Sequence, residues 1–269
     1  MATINPVCPL SDPDYRRIQA FLQKEAGITL GPAKKPLVVG RLGKRLRVRD
    51  CGDYDTYLRL LDTDAAERQQ AVDLLTTNET YFFREAKHFA FLGEQIIPQR
   101  AKQVDLRIWS AACSSGEEPY SIAMVLAERR GRGWEILASD LSTRVLASAA
   151  RGIYPLERAE KIPKAYLKHY CLRGVGPQEG SFSIVPDLRK AIHFSQINLN
   201  STLPSVGDFD VIFLRNVLIY FDPPAKKTIC SRLLARLRPG GYFIVGHSES
   251  LNGIAGGLRL VQPAVYQKD

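Results

Sequence analysis

Acidic side chains stand at two places where α/β proteins commonly bind ligands. The segment "RIWSAACSSGEEPYSIA" is typical of a strand, a turn and a helix, with Gly116 in the turn and Glu117 and Glu118 opening the helix. The next predicted strand ends in Asp140. An acid about 20 residues beyond the first turn is placed to accept hydrogen bonds from ribose hydroxyls. The two places therefore predict the binding of a nucleoside.

The turn is poorly suited to a phosphate group. Neither G-x-G-x-x-G nor G-x-x-x-x-G-K-[ST] occurs in the chain, and those glycine patterns bring backbone N–H groups close to phosphates. Carboxylates at the start of the helix would repel a pyrophosphate, whereas a cation or a ribose suits them. A nucleoside with positive charge and no phosphate describes S-adenosylmethionine, so Glu118 and Asp140 together predict a pocket for that cofactor. Taken singly, each acid is also explained as an ordinary helix N-terminal or surface carboxylate.

The stretch "NETYFFRE" (residues 78–85) places three successive aromatic residues, Tyr81, Phe82 and Phe83, between side chains that can hydrogen-bond. It lies where a helical pattern gives way to alternating strands and helices. Three aromatics in a row suit neither a solvated linker nor a helix with one apolar stripe. The aromatics are therefore expected to cover another part of the protein, and a plain interdomain wedge would explain them; residues 78–85 are called the lid.

The surrounding pattern predicts the elements that hold these residues in place. Residues 12–92 are predicted to be helical, in segments that include "DPDYRRIQAFLQKEAG" and "PLVVGRLGKRLRV". From Leu106 onward, predicted strands ("LRIWSAA", "EILASD", "IHFSQI", "FDVIFL" and "YFIVG") alternate with helices. The last helix is predicted to run through "DPPAKKTICSRLLARLRPGG" to its final Pro-Gly-Gly, and "LRLVQPAVYQ" to form a closing hairpin. Such alternation is typical of a mostly parallel sheet covered by helices.

These patterns divide the chain into a helical domain over residues 1–77, a linker over 78–100 that includes the lid, and an α/β domain over 101–269. Residues 164–188 interrupt the alternation with two short β-like runs joined by the turn-rich "RGVGPQEG". They predict a small antiparallel insert, which serves either as a binding element or as surface elaboration.

The composition is that of a soluble globular protein. Hydrophobic residues make up 45% and charged residues 24% of the chain, and no apolar run approaches the roughly 20 residues of a membrane span. The N-terminus has no secretory signal, so we expect a cytoplasmic protein that does not insert into the membrane. The five cysteines and four histidines are scattered without metal-ligand or paired spacing, which predicts neither a metal site nor a disulfide framework.

The net charge of +9 favours an acidic partner, such as nucleic acid, an anionic membrane surface or an acidic protein. Residues 32–50 carry seven basic residues and one acid, and helical spacing puts Arg41, Lys44 and Arg45 on one face. That face is a candidate surface for the acidic partner. The alternative is a charge that merely keeps the protein soluble.

Five motifs, met in order along the chain, resemble those of the CheR family of chemotaxis receptor methyltransferases: "NETYFFRE", "WSAACSSGEEPYSIAM", "ASDLS", "FDVIFLRNVLIYFD" and "GGYFIVGHSESL". The resemblance runs from about residue 12 to the C-terminus. It implies a Rossmann-like class I methyltransferase sheet with an N-terminal all-helical domain and a small antiparallel β insert. It also implies an enzyme that uses S-adenosyl-L-methionine, releases S-adenosyl-L-homocysteine, and methylates glutamate side chains on the cytoplasmic coiled coil of membrane receptors.

The resemblance also implies that the lid links the helical domain to the catalytic domain and closes over the cofactor, and it implies roles for individual residues. Contacts to the cofactor are expected from Asn78, Thr80, Arg84, Glu118, Asp140, Asn198, Leu199, Leu214 and Arg215. Arg215 is also expected to guide the acceptor carboxylate; the alternative for Arg215 is an ordinary salt bridge at the end of a strand. Tyr220 is expected to line the acceptor site. Contacts to the receptor are expected from Arg41, Lys44, Arg45, Arg173, Gly174 and Gly176. The last three assume that the insert captures a receptor C-terminal pentapeptide as an added strand, as in some members of the family.

Methyl transfer to glutamate needs no general base, because a carboxyl group with a pKa of about 4.3 is already ionised at pH 7. Catalysis is then expected from positioning and desolvation. Cys113 stands where the family resemblance calls for a smaller residue. With no histidine in a recognisable partner motif, Cys113 is not predicted to be a nucleophile.

Two rival functions remain. "FDPPA" resembles the Asp-Pro-Pro-aromatic motif of amino-methyltransferases that act on nucleic acid, but Ala225 stands where an aromatic is needed. A helix cap explains Asp222 and Pro223 equally well. The second rival is a non-catalytic protein that senses the cofactor or docks receptors. We expect a monomer that does not bind nucleic acid.

Overall fold

The computed structural model of the chain describes residues 9–100 and 104–269, so Cys8 and the predicted domain start at residue 101 lie outside the described residues. It divides into two compact units. The first comprises the described residues up to Thr77 together with Tyr220–Ala225, and the second comprises those of Asn78–Ile219 and Lys226–Asp269. Within the described residues, no helix is both long and apolar enough to cross a membrane.

The first unit is helical, as predicted. Its helices are α1 Asp12–Ala26, α2 Lys35–Val48, α3 Tyr54–Thr63 and α4 Ala65–Leu75. Ser11 caps α1 by accepting a backbone N–H of the first turn, and Gly27 ends α1 in a left-handed conformation that glycine adopts without strain. In α2, Val38, Leu42 and Leu46 are buried, as their i, i+4, i+8 spacing predicts.

Two arginines of α2 are bound to α4. Arg45 donates from Nε to the buried carboxylate of Glu67 at 2.8 Å, and Tyr57 donates its hydroxyl to the same carboxylate at 2.7 Å. The hydrogen bond from Arg45 is the leading reason that the pKa of Glu67 is lowered. Arg41 donates to three carbonyl oxygens at the C-terminal end of α4, at 2.9–3.2 Å. Both arginines therefore stabilise the helical unit itself.

The second unit alternates strands and helices. Its first elements are α5 Lys87–Phe91, a π-helical turn Leu92–Ile96 and α6 Ile97–Gln99. The elements that follow are, in chain order, β1 Leu106–Ala111, α7 Glu117–Arg129, β2 Trp134–Asp140, α8 Thr143–Arg151, β3 Ile153–Pro155, α9 Lys164–Tyr170, β4 Cys171–Arg173, β5 Ser181–Ile184, α10 Pro186–Lys190, β6 Ile192–Gln196, β7 Phe209–Leu214, α11 Pro223–Leu234, β8 Leu237–Val245, β9 Leu258–Gln262 and β10 Val265–Lys268.

Within the described residues the main sheet has seven strands in the order β6-β2-β1-β7-β8-β10-β9. The pairs from β6 to β8 are parallel, whereas β10 and β9 add antiparallel strands at one edge. Strand β7 is buried along its whole length, as expected for a parallel strand covered on both faces. The chain order reverses between β1 and β7, which is the switch point where open α/β sheets bind ligands. The predicted α/β class is confirmed.

The small sheet has the order β3-β5-β4 and is antiparallel throughout. Strands β4 and β5 lie within the range predicted for the insert, residues 164–188, but β3 precedes that range and α10 begins inside it. Tyr154 of β3 packs its ring against Phe182 of β5, with ring centroids 5.6 Å apart. The small sheet thus also includes a strand before residue 164, whose three residues are too few to show a readable periodicity.

The last helix is shorter than predicted. It ends at Leu234, and the Pro239-Gly240-Gly241 run that was expected to terminate it lies inside β8. There the glycines serve a bulge: Gly240 has φ +69°, and the pairing of β8 with β7 shifts register between Phe209 and Val211. The predicted closing hairpin is confirmed as β9 and β10.

Candidate functional site

The carboxyl ends of the parallel strands bring the predicted cofactor residues to one edge of the main sheet. Glu118 follows the turn after β1, and Asp140 ends β2. The lid reaches the same turn, because Ser114 donates its hydroxyl to the backbone oxygen of Asn78 at 3.2 Å. The remaining predicted residues follow β6 or end β7: Asn198, Leu199, Leu214 and Arg215.

The turn between β1 and α7 has a left-handed backbone at several positions. Ala112 and Ser114 have φ of +77° and +51°, and Gly116 has φ +98°. A Cβ on Gly116 would lie 2.8 Å from both the Cβ of Ala149 and the hydroxyl oxygen of Tyr154. The glycine is therefore required by the packing of the turn rather than by the approach of a phosphate.

Asp140 is a fixed acceptor at the end of β2. It is 7% exposed, and its two carboxylate oxygens accept the backbone N–H groups of Ser114 and Ser142, each at 2.9 Å. Because both backbone contacts hold it, the carboxylate has a fixed orientation at the end of β2.

Arg215 is buried and paired with two carboxylates. Its side chain is 2% exposed; Nη1 lies 2.8 Å from Glu118 and Nη2 lies 3.0 Å from Glu85. Nη2 also donates to the backbone oxygen of Arg84, and the guanidinium carbon lies 5.5 Å from the ring centre of Phe89. Arg215 thus connects the lid to the turn after β1. Its predicted contacts to cofactor and acceptor stay a prediction.

Glu85 and Glu249 are site residues to which the sequence analysis gave no role. Burial raises the pKa of Glu85, but the charge and hydrogen bonds of Arg215 outweigh burial and leave that pKa lowered, so the carboxylate is ionised at neutral pH. Glu85 also accepts from the side-chain amide of Asn216 at 3.3 Å and from the backbone N–H of His247 at 3.2 Å.

Glu249 performs a similar task in the neighbouring loops. It accepts the backbone N–H groups of Asn216, Leu218 and Gly246 at 2.7–2.8 Å. Its carboxylate thereby ties the loop after β7 to the loop after β8. Both glutamates lie inside family motifs, Glu85 in "NETYFFRE" and Glu249 in "GHSESL". A charged residue in the lid or after a glycine turn was the feature of the sequence that could have indicated them.

Backbone strain is concentrated at this edge. Seven non-glycine residues of the described chain have positive φ, and five of them lie here: Phe83, Glu85, Ala112, Ser114 and Asn216. Each such residue costs on the order of 1–3 kcal/mol and persists only where its surroundings over-determine it, which is typical of functional sites.

The lid aromatics anchor the lid to the second unit. Phe82 is fully buried and meets Tyr154 edge to face, with ring centroids 4.9 Å apart. Phe83 stacks on Tyr166 at 5.4 Å, whereas Tyr81 is 41% exposed. Thr80 and Arg84 of the lid are half-buried. The guanidinium of Arg84 donates to the backbone oxygen of Glu79 at 2.8 Å, which orients it within the lid.

Two buried side chains of the site are chemically silent at neutral pH. Burial raises the pKa of the Cys113 thiol well above its usual value, so Cys113 stays protonated. Burial, followed by the charge of Arg215, lowers the pKa of His88 to about 4, so His88 is neutral. His88 could join Glu85 and His247 around a metal ion, since their ligand atoms lie within 4.8 Å of one another. The adjacent Arg215 cation opposes such an ion.

The remaining predicted residues lie in three other parts of the chain. Tyr220 belongs to the first unit, and its place in the acceptor site stays a prediction. Lys44 is exposed on α2, in contrast to the engaged Arg41 and Arg45. Residues Arg173, Gly174 and Gly176 lie at the end of β4 and in the loop that follows.

The Asp-Pro-Pro run has the structural role that the sequence analysis offered for it. Asp222 accepts the backbone N–H of Ala225 at 2.9 Å, which caps the start of α11. This cap accounts for the motif that supported a nucleic-acid methyltransferase.

The fold and the site define a class of protein, the S-adenosylmethionine-dependent methyltransferases with a Rossmann-like sheet. The donor set fits that cofactor, because a fixed carboxylate stands at the end of β2 and a second acid follows the turn after β1, with no phosphate-binding glycine loop. The chain belongs to the CheR methyltransferase family. It matches "CheR methyltransferase, SAM binding domain" over residues 78–266 and "CheR methyltransferase, all-alpha domain" over residues 13–76. The predicted family, methyltransferase fold and cofactor are confirmed.

Relatives match along nearly the whole chain. Chemotaxis protein methyltransferase 2 of Pseudomonas aeruginosa is 43% identical over 257 residues, which are 94% of this chain and 92% of that protein. The chemotaxis protein methyltransferases of Salmonella typhimurium and Escherichia coli are each 40% identical over 263 residues, covering 96% of this chain and 90% and 91% of theirs. Among solved structures, the glycopeptide N-methyltransferase MtfA with S-adenosylmethionine is 18% identical over 64% of this chain and 58% of that chain. Its TM-score of 0.37 is too low to bear on the site.

We expect the second unit to lose stability on acidification because of His88. The pKa of His88 is about 4 in the folded protein against an ordinary value of 6.5. The contribution of the neutral ring to the free energy of unfolding is fully present above pH 6.5 and is lost as the pH falls toward 4. Between pH 7 and pH 5 the free energy of unfolding should therefore fall by about 2 kcal/mol. Urea unfolding at both pH values, followed by the fluorescence of Trp109 and Trp134, measures this loss, since both tryptophans lie in the second unit.

Two variants isolate the contribution of His88. His88→Gln should lack this part of the pH dependence, whereas His169→Gln, at a histidine whose side chain is 54% exposed, should retain it. The same pH dependence in wild type and His88→Gln would contradict the assignment.

Proposed function

We propose that this protein transfers the methyl group of S-adenosyl-L-methionine to glutamate side chains of membrane chemoreceptors, forming γ-glutamyl methyl esters and S-adenosyl-L-homocysteine. One observation carries the proposal: Glu118, Asp140 and the lid meet at the carboxyl edge of a methyltransferase sheet, in a chain whose relatives are named chemotaxis protein methyltransferases. The receptors' glutamates lie on the cytoplasmic side, where this protein is expected to act.

The cofactor, when bound, supplies a methyl group on a positively charged sulfur. In this proposal the fixed carboxylate of Asp140 accepts hydrogen bonds from the ribose hydroxyls. Glu118 lies toward the positive charge, and the Arg84 guanidinium suits the carboxylate of the methionine part. The other contacts are proposed for Asn78, Thr80, Asn198, Leu199 and Leu214.

The reaction needs no proton transfer. Transfer forms a C–O bond between an ionised glutamate oxygen and the methyl carbon, and it breaks the C–S bond, whose electron pair stays on sulfur. His88 is buried and its pKa is lowered to about 4, which makes it a weaker base than an ordinary histidine. The protein then accelerates the reaction by aligning the two groups and excluding water from them.

A methyl-transfer assay on receptor fragments tests the proposal. Radiolabelled methyl groups should enter a receptor coiled-coil fragment and leave as volatile methanol in alkali, because esters hydrolyse there and N-methyl groups do not. A fragment with its acceptor glutamates changed to glutamine is the matched control and should stay unlabelled. Labelling of DNA or RNA instead would support the nucleic-acid alternative, and cofactor binding without any labelling would support a sensor.

The contacts of α2 revise the receptor-binding part of the proposal. Arg41 and Arg45 are engaged with α4, whereas Lys44 and Arg47 are exposed. Gly40, on the same helix, leaves open space, because a Cβ there would meet nothing within 4 Å. We therefore propose Lys44 and Arg47 as the cations that meet the acidic face of a receptor helix, since opposite fields steer encounter and set register.

Reversing both exposed charges should weaken the receptor encounter. The double variant Lys44→Glu/Arg47→Glu should raise KM for the receptor fragment roughly tenfold with little change in kcat, because exposed charge pairs contribute up to about 1 kcal/mol each. Its KM should also respond less to added salt than the KM of wild type. Arg45→Glu is the contrasting control: it should unfold the helical unit at lower urea, followed by circular dichroism, because it opposes the buried Glu67. An unchanged KM in the double variant would contradict this surface.

The insert presents an open sheet edge. Within the described residues, β4 is an outer strand of the order β3-β5-β4. Leu172 in β4 is 52% exposed, and Val175, two residues after β4, is 78% exposed. Such an edge can accept an extended peptide as an added strand, and the exposed Arg173 offers it a cation. The loop itself requires Gly174, because a Cβ there would lie 2.0 Å from the carbonyl oxygen of Gln178.

A receptor C-terminal pentapeptide with an aromatic and an acid should bind this edge at a micromolar Kd, about −8 kcal/mol. In an NMR titration the resonances of residues 171–184 should shift, and Arg173→Ala should weaken binding. Gly176→Ala is a milder comparison than Gly174→Ala, because open space surrounds Gly176 although its φ is +57°. If calorimetry shows no heat of binding and the NMR titration shows no shifts, binding of the receptor peptide to the insert is contradicted. The catalytic proposal would be unaffected.

A further inference from the structure

Glu85 joins three separate segments of the second unit. It is the last residue of the lid, and its carboxylate reaches Arg215 and Asn216 after β7 and His247 after β8. The partners along the chain are far apart: Arg215 lies 130 residues beyond Glu85. One carboxylate therefore closes the lid onto two strand-end loops.

The lid needs such a contact because its backbone is strained. Phe83 and Glu85 have φ of +54° and +58°, in the left-handed region that side chains disfavour. Such positions persist only where their surroundings hold them, so the lid would relax if nothing held it. The ion pair between Glu85 and Arg215 is charge-assisted and almost fully buried on the arginine side, which makes it a strong enough contact for that task.

The guanidinium of Arg215 contacts the lid and is almost fully buried. Its terminal nitrogens are committed to Glu85, Glu118 and the backbone oxygen of Arg84, and its side chain is 2% exposed. The contact to Arg84 bears directly on a lid residue that the proposed function places against the cofactor. The pair Glu85–Arg215 is thus positioned to fix the lid in its cofactor-binding conformation.

We propose that Glu85 is a positioning residue: through Arg215 it latches the lid, and it thereby sets the affinity for the cofactor without touching it. The inference rests on the proposed function in taking Asn78, Thr80 and Arg84 as cofactor contacts. When the latch is lost, the lid is in its competent conformation for a smaller fraction of the time. The apparent Kd then rises in inverse proportion to that fraction.

Binding of S-adenosyl-L-homocysteine to the full chain, measured by calorimetry, tests the latch. Glu85→Gln keeps the side-chain shape and removes the charge, and it should raise Kd about tenfold if the competent fraction falls to about a tenth. Amide hydrogen exchange of the free protein should quicken in residues 81–86 and in residue 247, while β1 and β7 keep their protection. Glu94→Gln, at an exposed glutamate nearby in sequence, is the matched control and should leave both measurements unchanged.

A double-variant cycle shows whether Arg215 is the partner through which Glu85 acts. Arg215→Met alone should raise Kd to a similar extent, and adding Glu85→Gln should raise it little further. Fully additive effects, an unchanged Kd in Glu85→Gln, or faster exchange throughout the sheet would each overturn the latch.

The outcome is separable from folding and from the proposed reaction. Tryptophan fluorescence reports whether Glu85→Gln folds; if it does not, Glu85→Asp decides, because its carboxylate falls one methylene short of Arg215 and should still raise Kd. A wild-type Kd in Glu85→Asp would then overturn the latch. Tight binding by the wild type without methylation of receptor glutamates would count against the proposed function alone.

Discussion

A buried guanidinium shared by two carboxylates organises the strand-end edge of this protein. Arg215 comes from the end of β7, Glu118 from the turn after β1, and Glu85 from the lid. Removing such charges from water is expensive, and the cost is recovered only when each has its partners in good geometry. The lid, the turn and the strand end therefore depend on one another, and none of the three is well placed without the other two.

The same edge stores the backbone strain of the second unit. Ala112 and Ser114 bend the turn after β1, and Asn216 bends the loop after β7. Hydrogen bonds to carboxylates hold these positions: Asp140 accepts from Ser114, and Glu249 accepts from Asn216. Non-glycine residues ordinarily avoid positive φ, and proteins usually depart from such local preferences at functional sites. The acids thus fix the strained backbone at this edge.

The arrangement suits a carboxylate acceptor. An ionised glutamate needs alignment and a dry site rather than deprotonation, and the second unit supplies fixed acceptors, a closed lid and a neutral histidine. The charges of the basic helix in the first unit differ in their surroundings. Arg41 and Arg45 hold α4 in place, while Lys44 and Arg47 are exposed.

The sequence by itself determined the features that are periodic or chemically distinctive over a short range. The stripe Val38, Leu42 and Leu46 predicted the buried face of α2, and the placement of Glu118 and Asp140 after strands predicted their common edge and a nucleoside with no phosphate. Helix caps and the closing hairpin were readable for the same reason, because local residue types specify them.

Only the tertiary structure decided which charges meet. The pairing of Glu85 with Arg215 spans 130 residues, and the pairing of Arg45 with Glu67 spans 22, so neither leaves a trace in a local pattern. The bulge that places Gly240 inside β8 and the short strand that brings Tyr154 into the insert depend on neighbours in the sheet as well. Periodicity reports which side of an element is buried, whereas the partner that a buried charge finds depends on how the whole chain folds back on itself.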